Sequence, residues 1–207
     1  MRYQNKIFLP AVNALLPLSG IWFFDWSIAS IYGWFFVEFI FEVLFTSLRL
    51  RLFWKNVPYP RAKADRQSWY TIVPVGLVLA AMFFLLAVGS EGIQREELLP
   101  MFWVQSGFIA VAFCMYAWRF YTACVKGRDY RKPNFDEHTS PVNKKMIVIG
   151  VIYLFSIVQY HLFGGQKITY SQTYLLFLGT TIVVAKFVVE VFGNFLLVSK
   201  SSRQNSQ

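Results

Sequence analysis

The class of this protein follows from one apolar stretch near its N-terminus, Ile28-Ala-Ser-Ile-Tyr-Gly-Trp-Phe-Phe-Val-Glu38-Phe-Ile-Phe-Glu42-Val-Leu-Phe-Thr-Ser-Leu48. A helix needs about 20 mostly apolar residues to cross the roughly 30 Å hydrocarbon core of a bilayer, and this stretch has that length. Glu38 and Glu42 are its only charged residues. The stretch therefore predicts a membrane-spanning helix that carries two carboxylates.

Similar windows recur along the whole chain, and they predict an all-α polytopic membrane protein with a bundle of six transmembrane helices. These helices belong to one membrane domain, residues 1–207, and cover residues 7–24, 28–48, 69–88, 98–124, 146–163 and 173–198. Pro10 and Pro17 interrupt the first window, so two outcomes stay open there: a full span, or a broken or re-entrant segment.

Composition agrees with this class of protein. The chain of 207 residues is 56% hydrophobic and only 15% charged, which is more apolar surface than one soluble core of this size can bury. The same figures exclude a disordered chain and a collagen-like repeat. With two cysteines, a disulfide scaffold is excluded as well.

Basic residues indicate the orientation, because Lys and Arg concentrate in short cytoplasmic loops. The loops 49–68 and 125–145 hold most of them, whereas the opposite connections hold only Arg95 and Lys167. This bias predicts that both termini are cytoplasmic. It also accounts for the net charge of +9 without a nucleic-acid partner, since a basic inner face meets a bilayer whose inner leaflet is anionic.

Five ionisable residues lie well inside the predicted spans, where a charge costs about 2.5 to 3.5 kcal/mol at the helix centre. We expect them to form an intramembrane charge cluster in two layers. Glu38 and Lys186 lie at a similar depth, and Glu42 and Glu190 follow four residues deeper on the same helix faces. Arg119 lies low in span four, where its long side chain can reach the deeper layer.

Other polar residues are expected to line the same interior site: Thr46, Gln105, Tyr116 and Asn194. Within the spans, three carboxylates face two cations, so one carboxylate lacks a counterion. That carboxylate can stay protonated, bind a cation or exchange protons with water. The structural alternative is that these charges only fix helix register and partner choice.

No nucleophile motif, metal-ligand spacing or phosphate loop occurs, so we expect no enzyme, no metal and no cofactor. One hypothesis is a small permease or a proton- or cation-linked membrane protein with a buried Glu/Lys/Arg site. The alternative is a non-catalytic scaffold, or a subunit of a larger complex, whose buried charges are structural. A homo-oligomer or another membrane protein is then the expected partner.

Five groups of residues form a further pattern along the chain. They are Asn13-Ala-Leu-Leu-Pro17-Leu, Phe-Phe-Asp25-Trp26, Gly33-Trp34 followed by Glu38 and Leu48-Arg49, Gly127-Arg128-Asp129-Tyr130-Arg131, and Lys186 with Glu190. The pattern resembles that of an uncharacterised family of bacterial multi-pass membrane proteins. The resemblance implies a multi-pass protein of the bacterial inner membrane and directs attention to Glu38, Lys186 and Glu190. It brings no activity with it.

Overall fold

The computed structural model of the chain describes residues 4–24, 26–91, 95–131, 135–162, 176 and 178–191. Within these ranges every regular element is helical and there is no strand, which confirms the all-α prediction. The long helices are α1 Gln4–Phe23, α2 Ile28–Trp54, α3 Tyr59–Glu91, α4 Arg95–Phe120 and α5 Phe135–Leu162. A sixth helix, α6, covers residues 178–191.

Two stretches of helix in the described residues, Ala29–Trp54 and Gln105–Lys126, are long and apolar enough to cross a membrane. This criterion uses length and composition alone, and a third apolar stretch, Pro10–Phe23, is shorter. The six spans predicted from the sequence thus correspond to six helices, two of which meet the criterion. The end of the last predicted span, residues 192–198, lies outside the described residues.

The chain divides into two compact units, one of Met1–Ile31 and Ile147–Gln207, the other of Tyr32–Met146. In the first unit, Pro10 and Pro17 leave α1 continuous. Its C-terminal turn closes where the Gly20 carbonyl accepts hydrogen bonds from the backbone N–H groups of Phe24 and Trp26. The Trp26 ring lies so close that a Cβ on Gly20 would overlap it, so this position requires glycine.

Helix α2 begins with a side-chain cap, because the Ser27 hydroxyl accepts the backbone N–H of Ser30 at 3.1 Å. In the same unit α6 packs closely against α1 and the start of α2. A Cβ on Gly179 would lie 2.8 Å from Ile31 and 3.3 Å from Ile21. A small residue therefore sets the distance between these helices, as it commonly does between helices in membranes.

The second unit is held together by aromatic side chains of α2. The Phe39 ring is fully buried, and a Cβ on Gly76 of α3 would lie 2.7 Å from its Cζ. On the opposite side, Phe41 and Phe45 contact aromatic rings of α4 at centroid distances of 5.6 to 6.2 Å. The contacts of Phe41 and Phe45 pack α2 against α4.

Two helices begin well ahead of the apolar windows that predicted them. Helix α3 begins at Tyr59, ahead of the predicted start at residue 69, and it holds Pro60 in its first turn, where a proline breaks no helical hydrogen bond. Helix α5 begins at Phe135, inside the segment 125–145 assigned to a basic loop. Lys145 consequently lies on a helix.

Candidate functional site

A line of polar residues runs along one face of α2. Glu38, Glu42, Thr46 and Arg49 are spaced by four, four and three residues, which places them one above another. The first three are buried and Arg49 is half-buried. We call these four residues, together with their partners on α4 and α5, the polar column; it belongs entirely to the second unit.

The upper end of the column is an ion pair between Glu38 and Lys145. Lys145 Nζ donates to Glu38 Oε2 at 3.0 Å, and Trp34 Nε1 donates to the other carboxylate oxygen at 3.2 Å. The exposed fraction is 1% for Glu38 and 9% for Lys145. Both carboxylate oxygens are therefore satisfied by donors, and the lysine charge is held next to the carboxylate rather than in solvent.

Tyr116 of α4 separates this pair from the lower part of the column. Its side chain is buried, and Lys145 Nζ lies 5.7 Å from the centroid of its ring, within the range of a cation–π interaction. The Phe45 ring stacks against the Tyr116 ring at a centroid distance of 6.2 Å. Tyr116 is thus fixed by packing at a position where it faces both charged layers.

The lower layer joins Glu42 to Arg119. Arg119 Nη1 lies 3.6 Å from Glu42 Oε2; the carboxylate side chain is 6% exposed and the arginine side chain 45%. Below it, Arg49 donates to the Thr46 hydroxyl at 3.4 Å and to the backbone carbonyl of His138 on α5. The column therefore passes from a fully enclosed pair to an arginine that reaches the protein surface.

A turn of π-helix, Tyr121–Lys126, begins directly after Arg119 and Phe120. The backbone N–H of Gly127 donates to the Thr122 carbonyl at 3.0 Å, five residues back, and the Thr122 hydroxyl satisfies the carbonyls of Trp118 and Arg119. Such turns inside helices occur frequently at functional sites. Here the turn brings Ala123 and Cys124 towards α2.

A small, partly open cavity lies between α2 and this part of α4. Its volume is about 30 Å³, room for one or two water molecules. Among the residues that line it are the lower members of the column: Glu42, Thr46, Arg49, Tyr116 and Arg119. Water can therefore approach the lower layer of charges, whereas the Glu38–Lys145 pair does not line the cavity.

The remaining two site residues that the sequence predicted lie in the first unit. Lys186 Nζ is 3.3 Å from Glu190 Oε1, one helical turn further along α6, and both side chains are largely buried. The predicted approach of Lys186 to Glu38 stays a prediction. Of the expected lining residues, Thr46 and Tyr116 line the cavity, Gln105 is fully buried on α4 without lining it, and Asn194 lies outside the described residues.

Sequence reasoning missed Lys145, and this omission changes the charge balance. With Lys145 counted, the three carboxylates of the predicted charge cluster, Glu38, Glu42 and Glu190, each have a cation within 4 Å: Lys145, Arg119 and Lys186, respectively. The expected surplus carboxylate is therefore absent from this set. A usable signal was present, because His138, Val142, Lys145 and Val148 repeat at helical spacing and all four are buried.

Comparison with known proteins adds no relative: no family model, no curated protein and no solved structure matches this chain. The resemblance to the uncharacterised membrane family stays a prediction. Within the described ranges, no group of three or more His, Cys, Asp or Glu residues could hold a metal ion.

Proposed function

We propose that the chain is a multi-pass protein of the bacterial inner membrane, with six spans and both termini cytoplasmic. Its function is that of a small permease or a proton- or cation-linked membrane protein, and the polar column is its working site. The pattern of exposed and buried side chains supports the membrane assignment.

Two features of exposure among the described residues are unusual for a soluble protein. One face of α3 exposes a stripe of large apolar side chains: Val75, Val78, Leu79, Met82 and Leu85. Meanwhile Glu38, Gln105 and Lys186 are at least 96% buried. In water this arrangement would leave a contiguous apolar patch uncovered, whereas in lipid it places each group in a favourable medium.

The observation that carries the functional proposal is the polar column itself. Ionisable residues inside a membrane are costly, and they commonly mark pathways of protons, ions or substrates. The column contains two ion pairs whose members come from three helices, with Tyr116 between them and a water-sized cavity beside the lower pair. Protonation of Glu38 would weaken its pair with Lys145, which gives the column a means of releasing a charge towards the lower layer.

Flux through reconstituted vesicles tests the proposal. The wild-type protein should carry protons into vesicles under an imposed pH gradient, and Glu38→Gln should reduce that flux to background, since an amide cannot exchange the proton. The double variant Glu38→Gln with Lys145→Met removes the pair without leaving a lone buried charge, so it should stay folded and also be inactive. Lys63→Met, at an exposed lysine of α3, is the matched control and should keep full flux.

Unchanged flux in a folded Glu38→Gln protein would contradict the proposal, as would a wild-type protein that carries no proton and no cation. In either case the second candidate becomes the better description.

That second candidate is a non-catalytic scaffold or subunit, and one observation favours it. Each carboxylate of the described cluster already has a cation partner, as expected if the charges hold helices in register. A subunit should be recovered from mild detergent with a partner at a fixed ratio. A single monodisperse chain at monomer mass would count against this candidate.

A further inference from the structure

The walls of the cavity between α2 and α4 carry an excess of positive charge. Arg49 and Arg119 both line it, and Glu42 is the single carboxylate among the lining residues, so the formal charge of the wall is +1. Glu42 is also 3.6 Å from Arg119, so its negative charge is already shared with a guanidinium group.

The polar groups of the wall are mainly hydrogen-bond donors. Guanidinium groups have five N–H donors and no acceptor, and the Thr46 hydroxyl adds a donor that can rotate towards a guest. A bound Na⁺ or K⁺ would instead need several oxygen ligands and would face two arginines. Charge and donor chemistry therefore both favour a negatively charged guest.

The size of the cavity indicates how large the bound anion can be. A volume of about 30 Å³ has room for one or two water-sized particles, which is sufficient for a halide ion. Phe45 and Phe120 form an apolar part of the lining, so an ion there would exchange part of its hydration shell for the donors of the wall.

We propose that this cavity binds one small inorganic anion of halide size, held by Arg49, Arg119 and Thr46. The inference rests on the proposed function in one respect, since it deepens its proton-linked form by placing an anion at the lower layer of the same column, beside Glu42. Binding can nevertheless be measured on purified protein without any flux.

Bromide binding can be followed in detergent-solubilised protein by two readouts. The first is the thermal unfolding midpoint in sodium bromide compared with sodium gluconate at equal ionic strength, since a ligand of the folded state raises it. The second uses Cys124, which lines the cavity, in a Cys114→Ser background. Bromide should raise the midpoint and slow the reaction of Cys124 with methyl methanethiosulfonate, whereas gluconate should do neither.

Two substitutions should shift the affinity for bromide in opposite directions. Thr46→Val keeps the shape of the side chain but removes a donor to a charged group, and should weaken binding about tenfold. Glu42→Gln removes the competing carboxylate and should strengthen binding. Arg51→Gln removes an exposed arginine of the same helix that does not line the cavity, and it should leave the affinity unchanged.

A cation site would behave differently. Glu42→Gln would then abolish ligand binding, and the protection of Cys124 would depend on which cation is present rather than on which anion. That result would overturn the inference, and so would equal midpoints and equal Cys124 reactivity in bromide and gluconate. A raised midpoint with no protection of Cys124 would place the anion elsewhere and would also overturn it. Bromide binding by a protein without flux would contradict the proposed function alone.

Discussion

At the scale of single residues, the Glu38–Lys145 pair combines two charges that water would otherwise solvate. Its stability depends on mutual compensation: the lysine is 3.0 Å from the carboxylate, and Trp34 occupies the second carboxylate oxygen. Removing one partner leaves a lone buried charge, while replacing both with uncharged residues of similar volume removes the desolvation cost together with the attraction. The two kinds of substitution should therefore differ in their effect on stability.

Lys145→Met should lower the free energy of unfolding by about 3 to 5 kcal/mol, because it strands the Glu38 carboxylate in the interior. Adding Glu38→Gln should restore most of the loss, since the amide can still accept a hydrogen bond from Trp34. Thermal unfolding in detergent measures both effects, with Lys63→Met as the surface control. A double variant as unstable as the single one would show that the pair contributes more than charge compensation.

The sequence was sufficient to identify Glu38, Glu42 and Arg119, because a charge within an apolar window stands out by composition alone. Lys145 could not be found in this way. It lies one residue before the apolar window of residues 146–163, in a run that also contains Lys144, so hydropathy assigned it to the basic loop. Only the helical spacing of its buried neighbours indicates that it faces inward.

At the scale of helices, the contact of α3 with α2 depends on a residue without a side chain. Gly76 lies against the buried Phe39 ring, and any Cβ there would be 2.7 Å from the ring. A Cβ on Gly107 of α4 would meet no atom within 4 Å, so the two glycines differ in surroundings but share a helical backbone. Of these two glycines, only Gly76 sets the distance between two helices.

Gly76→Val should destabilise the protein by about 1 to 3 kcal/mol, because the fully buried Phe39 ring has no room to move. Gly107→Ala should have the opposite sign and stabilise it by up to about 1 kcal/mol, since alanine is the better helix former and meets no neighbour. Thermal unfolding of the two variants under the same conditions measures both effects. Equal effects of the two substitutions would contradict this account of the contact.

The presence of each helix could be predicted from the sequence more readily than its ends or its helical type. Apolar windows locate the part of a helix that suits lipid, but α3 and α5 continue into polar sequence, where composition carries little signal. The π-helical turn at Tyr121–Lys126 ends in a hydrogen bond from the Gly127 N–H to the Thr122 carbonyl, and the Thr122 hydroxyl donates to carbonyls of the preceding turn. No local pattern in the sequence distinguishes these residues from an ordinary helix end.

At the scale of the whole molecule, the distribution of charge and the exposure of side chains both bear on whether the chain spans a membrane. Most lysines and arginines lie at or beyond the ends of the helices on one predicted side, and most of the exposed apolar residues of the described helices lie between the ends. Helix α2, at 27 residues, is about 40 Å long, enough to cross the hydrocarbon and reach both headgroup layers. The residues that flank it should therefore be on opposite sides of a membrane.

Cysteine labelling can decide the topology. In a background with Cys114 and Cys124 replaced by serine, a membrane-impermeant maleimide added to intact spheroplasts should label Phe24→Cys, which follows α1 at an exposed position. Lys63→Cys and Lys126→Cys, also exposed, should be labelled only after the membrane is permeabilised, because the positive-inside bias places both in the cytoplasm. Labelling of all three from the outside, or recovery of the protein in the soluble fraction, would contradict the six-span arrangement. Labelling of Lys63→Cys and Lys126→Cys from the outside, with Phe24→Cys labelled only after permeabilisation, would show the reverse orientation and would contradict the prediction made from the charge bias.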